Sequence, residues 1–161
     1  MARVTSRIRY GVFAVMLWCG MPASADRADP GDKAMVERGA MIYRKFCAVC
    51  HGVNLEGQPD WRKRKPDGRL PAPPHDRSGH TWHHPDRVLF EITKYGLVPP
   101  HAPENYASDM PAWQGVLSDA DIWAVLAYIK SRWPKEVLEV QEGIDRQSRE
   151  ARRNSGSASR D

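Results

Sequence analysis

Cys47-Ala48-Val49-Cys50-His51 is the stretch on which the reading of this chain turns. Two cysteines stand three apart, and a histidine directly follows the second. On one helical turn, positions i, i+3 and i+4 share a face. Two thiols so placed can add across the two vinyl groups of one porphyrin, leaving the adjacent imidazole aimed at the iron. The pattern is that of c-type haem attachment, and an imidazole is a standard way of holding haem iron. Cys47 and Cys50 are the expected anchors of one haem c, with two thioether links, and His51 is its first axial ligand. A zinc site using Cys47, Cys50, His51 and a distant histidine is the competing chemistry.

Outward from the motif, the chain has 161 residues, and its first 25 read as a secretory leader. Arg3, Arg7 and Arg9 form a positive start, and residues 10–21 an apolar run too short to span a bilayer comfortably. Ala23-Ser24-Ala25 offers small residues for cleavage after Ala25. Taking the three leader arginines from 24 basic residues leaves 21 against 20 acidic ones, a net of +1. The apparent basicity belongs to the leader, so overall charge gives no argument for a nucleic-acid partner. Cys19 also leaves with the leader. Cys47 and Cys50 then stand alone, which removes any structural disulfide and fits haem attachment in the periplasm. No stable membrane insertion is expected after cleavage. No second CxxCH and no internal repeat occur, so one haem is the count.

Residues 26–134 read as one small all-α domain and 135–161 as a charged tail. Residues 32–47 have helical spacing, with Val36, Gly39, Ala40, Tyr43 and Phe46 on one stripe and Asp29 or Asp32 as cap. Gly52 closes that helix after the motif. Residues 53–81 are rich in proline and glycine, a long irregular loop suited to wrapping a cofactor edge. A second helix is expected over 85–95, with Gly96 as stop, then another proline-rich loop over 97–111. Ser118 with Asp121 opens the last core helix, which buries Ile122, Val125, Leu126 and Ile129 and ends before Pro134. The tail is predicted to be a frayed amphipathic helix to about Arg153, using Val137, Val140 and Ile144, with a disordered end.

The second iron face is assigned from the methionines. Met35 and Met41 lie on the first helix, beside the motif. Met110 sits in a loop sixty positions after Cys50, stiffened by Pro111. A loop can fold over the distal face, and a thioether is soft, neutral and unreactive. Met110 is therefore the expected second ligand, and His/Met ligation raises the reduction potential. His75, His80, His83, His84 and His101 are its rivals, and His80 to His84 also resemble a peripheral metal site. For these the ordinary role is hydrogen bonding or exposure to water. One of them, or Trp82, could instead contact the haem propionates.

With these residues the chain resembles the class I c-type cytochromes, small monohaem electron carriers, over roughly residues 32–134. The resemblance rests on Cys47-Ala48-Val49-Cys50-His51 and on Asp109-Met110-Pro111-Ala112-Trp113. It rests also on Gly39 and Tyr43, eight and four residues before Cys47, where the family has a small residue and an aromatic. Residues 80–95 resemble a bacterial periplasmic subgroup. The resemblance implies a cytochrome c fold of three to four helices around the haem, with long irregular loops. It also implies that Gly39 and Tyr43 meet Val125 and Tyr128, and that the carbonyl of Pro71 or Pro73 accepts the His51 ring N–H.

The function expected from all this is periplasmic single-electron transfer between redox partner proteins, with no enzymatic step. The alternatives are a haem protein with an open distal position, acting as a small-ligand sensor or peroxidase, and a cytochrome subunit of a larger oxidoreductase. The basic run Arg62-Lys63-Arg64-Lys65 beside Trp61 suggests steering of an acidic partner.

Overall fold

The computed structural model describes residues 27–158; the leader and its cleavage point lie outside them. All its regular elements are helical, as the spacing predicts. α1 (Lys33–Ile42), a π turn (Tyr43–Cys47) and α2 (Ala48–His51) form one continuous helical run. α3 spans Asp86–Tyr95, α4 spans Asp119–Ser131 and α5 spans Lys135–Ala158, with a short 3-10 turn at Thr81–His83. Among the described residues, no helix is long and apolar enough to cross a membrane.

Each start and stop has a local cause. Asp32, rather than Asp29, caps α1, accepting from the Met35 N–H at 3.1 Å. Ser118 and Asp121 form a reciprocal capping box at the start of α4. Gly52 ends the first run at φ 80°, where a side chain would be strained. The π turn is a local feature that periodicity does not anticipate. The Ala48 N–H reaches back five residues to the Tyr43 carbonyl, and the wider turn shifts the side-chain register immediately before the motif.

α4 is the core. Ile122, Trp123, Ala124, Val125, Leu126, Ala127 and Ile129 are buried on it, so it is covered on every side. Trp123 stacks on Phe90 of α3 at 4.3 Å. α1 crosses α4 at Gly39, where an added Cβ would lie 1.9 Å from the Ala124 carbonyl oxygen and 2.9 Å from Tyr128 Cβ. The expected helix pair thus forms with Ala124, not Val125, under the glycine, while the Tyr43 and Tyr128 rings meet at 5.3 Å. Val125 points to the cavity described below.

The tail departs most from expectation. α5 is one helix to Ala158, past the expected end near Arg153, and its inner face carries Val137 and Leu138 against the core together with polar groups. Gln141 is wholly buried and Asp145 nearly so, whereas Val140 is 50% exposed. Asp86 explains this. Its backbone N–H, one of the free donors at the start of α3, is capped by Asp145 Oδ1 at 3.0 Å. Its carboxylate accepts from Lys130 Nζ at 2.8 and 2.9 Å and from Gln141 Nε2 at 2.7 Å. Arg149 pairs with Asp145. α3, α4 and α5 therefore meet at one buried, hydrogen-bonded charge cluster.

Candidate functional site

Cys47, Cys50, His51 and Met110 all line one cavity of about 390 Å³. The wall opposite the motif comes from Leu89, Ile92, Val125, Leu126 and Ile129 of α3 and α4. The two irregular loops close the rest. Leu70, Pro71 and Pro73 come from one, and Leu97, Tyr106, Met110 and Pro111 from the other. Both proline-rich loops thus turn part of their apolar surface to the cavity.

His51 is buried at the end of α2. Its Nδ1–H donates to the Pro73 carbonyl at 2.8 Å, which selects Pro73 over Pro71 and leaves Nε2 with the unshared pair. Burial holds the imidazole below its usual pKa, partly opposed by the Pro73 bond. The Tyr43 hydroxyl donates to the carbonyls of Gly52 and His51 at 3.0 and 3.3 Å, fixing the end of the motif helix from behind. Burial also raises the Tyr43 pKa, so the phenol stays a donor. Cys47 and Cys50 are free thiols. Burial and the neighbouring Cys50 push the Cys47 thiol up to about 12.

Met110 is half-buried, and its N–H is held by Ser108 Oγ at 3.0 Å. The loop leaves the cavity through two backbone bonds to α3, Trp113 N–H to Thr93 at 3.2 Å and Gln114 N–H to Lys94 at 2.9 Å. Trp113 meets Phe46 edge-on at 5.3 Å, so the Met110 loop is fastened to the motif helix as well.

The histidines divide. His75, His80 and His84 line the cavity, whereas His101 is turned away to Glu91 Oε2 at 2.7 Å. Trp82 stacks on His83 at 3.6 Å and is not on the cavity wall; Trp61 is. Among the described residues, no three His, Cys, Asp or Glu side chains converge to hold a metal ion. That disfavours both the zinc reading of the motif and a peripheral site at residues 80–84. Sequence reasoning missed Trp61, Gln58 and Lys65 as wall residues, and the stacking of His75 on His51. Loop positions have no period to reveal them.

The donor set fits a c-type haem. Two free thiols flank one turn, an imidazole presents Nε2, a thioether stands on the same cavity, and the remaining wall is largely apolar. Tetrahedral zinc chemistry would need further ligands that do not converge here. No curated protein and no solved structure matches the chain significantly. The family model described as Cytochrome c matches residues 36–133, running from within α1 to the residue before Pro134. That span is more than half of the chain and contains both cavity-lining loops and Cys47, Cys50, His51 and Met110. The chain belongs to the cytochrome c family of haem-binding electron-transfer proteins.

Proposed function

We propose that this chain is a periplasmic monohaem cytochrome that passes single electrons between redox partner proteins and performs no enzymatic step. The observation that supports it is the meeting of Cys47, Cys50, His51 and Met110 on one cavity, with His51 Nδ1 already committed to Pro73. Bound haem supplies the one-electron ferric/ferrous couple.

The chain's own residues do the rest. The Cys47 and Cys50 thiols would hold the haem through two thioether links to its vinyl groups. His51 would hold the iron through Nε2, in the tautomer that the Pro73 carbonyl selects. Met110 would supply a second iron ligand from the loop, a thioether that favours the reduced form. Leu70, Leu89, Ile92 and Val125 exclude water, which limits the reorganisation that accompanies each electron. The leader, and a mature chain with just this cysteine pair, support export to the periplasm.

Two measurements test this. Haem stain should survive denaturation in the wild type and fail in a Cys47→Ser/Cys50→Ser chain. The ferric wild type should show the weak far-red band of a methionine–iron bond. Met110→Ala should abolish that band, give high-spin iron and lower the midpoint potential. A wild type without the band, and high-spin, defeats the His51/Met110 assignment.

A further inference from the structure

The structure places a second imidazole against the first. The His75 ring stacks on the His51 ring with centroids 4.0 Å apart and planes 24° apart. We propose that His75 is a positioning residue for His51, and that α5 supports the ligand through it.

Three bonds hold His75 in place. Its ring Nδ1 pairs with Thr81 Oγ1 at 2.9 Å, its carbonyl accepts from Trp133 Nε1 at 2.7 Å, and its N–H donates to the Leu55 carbonyl at 2.8 Å. Thr81 is buried in the 3-10 turn against which α5 packs. Gln141 of α5 also donates to the carbonyl of His84, just after that turn. A chain of contacts thus runs from α5 through Thr81 and His75 to His51.

The Pro73 bond and the stack do different things. A single N–H···O bond fixes one edge of a ring and leaves it free to swing about the bond axis. A second ring lying on its face removes that swing and sets the imidazole plane. It also keeps water from the side of the ligand, and exclusion of water favours the reduced form. This gives a role to two features that electron transfer alone leaves unused, the histidine-rich segment and the C-terminal helix.

The inference rests on His51 being an iron ligand. The test uses the full haem-loaded chain with His75→Ala, His75→Phe and Thr81→Val. Midpoint potential and the g-anisotropy of the ferric electron paramagnetic resonance spectrum, which reports ligand-plane orientation, are the readouts. His75→Ala should lower the potential and change the g-anisotropy. His75→Phe keeps a ring on His51 and should restore both towards wild type, and Thr81→Val should move both in the alanine direction by less. Unchanged values in His75→Ala, or a phenylalanine variant that behaves like alanine, overturn the proposal. If His75→Ala does not fold, unchanged values in Thr81→Val overturn it. A wild type without hyperfine-shifted imidazole resonances overturns the His51 assignment and the brace with it, so the wild-type spectrum alone separates the two failures.

Discussion

Lys65 Nζ donates to Asp109 Oδ2 at 2.6 Å, joining the loop that contains Pro73 to the loop that contains Met110. Arg69 Nε reaches the other oxygen, Oδ1, at 3.2 Å, and Asp67 pairs with both cations at 3.6 and 3.5 Å. Each pair alone is solvent-exposed and of small effect, but a four-membered network is held better than a lone pair. Asp109 immediately precedes the proposed ligand, so the network acts as a clasp on the Met110 loop. In Asp109→Asn, added imidazole should displace Met110 from ferric protein at a rate severalfold faster than in wild type. High salt should narrow the difference, because screening weakens the wild-type clasp. Equal displacement rates at low salt would count against the clasp.

Gly39 sets the crossing of α1 and α4. Its missing side chain admits the Ala124 carbonyl, and backbone cannot step aside as a flexible side chain would. Gly39→Ala should destabilise the fold by about 3 kcal/mol or more, since overpacking here must separate two helices. Denaturant unfolding of the haem-loaded variant gives the number. A loss no larger than that of an ordinary surface substitution would mean that the crossing is not as tight as 1.9 Å implies.

What could be read without coordinates was whatever is local in sequence. Cys47, Cys50 and His51 declare their chemistry within one turn, and Ser118 with Asp121 declares a helix start within another. Gly39 was legible through the resemblance, since it stands eight residues before Cys47, where the family has a small residue. The choice of Pro73 over Pro71, and the approach of His75, depend on how an irregular loop closes on itself, through bonds such as Gln58 N–H to Ala72 and His75 N–H to Leu55. Such a loop has no periodicity to read. On the inner face of α5, Val137 was legible, but Gln141 and Asp145 were missed because they are polar, and hydropathy assigns polar residues to water. Their burial depends on Asp86 and Lys130, more than ten residues away along the chain at the nearest.

The Asp86–Lys130 pair is buried on both sides and closes the joint between α3 and α4. Removing one partner strands the other charge in a place with little water. Lys130→Met should therefore cost roughly 3–5 kcal/mol of stability, more than truncating an exposed lysine. Asp86→Asn in the same chain should recover part of that loss, because the stranded charge is gone while the Gln141 contact remains possible. Thermal or chemical unfolding of the two single variants and the double variant gives the coupling directly. Additive losses would show that the two side chains do not act as a pair.

The basic run is the remaining sequence feature with a functional expectation, and its members differ in what they are free to do. Lys65 is committed to Asp109, Arg62 lies over the Trp61 ring at 4.1 Å, and Arg64 donates to the Gly68 carbonyl at 2.7 Å. Arg62, Lys63 and Arg64 keep their charge at the surface, beside a tryptophan that forms part of the cavity wall. A small anion should therefore be drawn towards this edge. Oxidation of the reduced protein by hexacyanoferrate(III) should slow severalfold at low ionic strength when all three become glutamine, and the two proteins should converge as salt rises. Lys65 is left intact in this variant so that the clasp on the Met110 loop is undisturbed. If the triple variant keeps the wild-type salt dependence, the run steers nothing and serves only to solvate its loop.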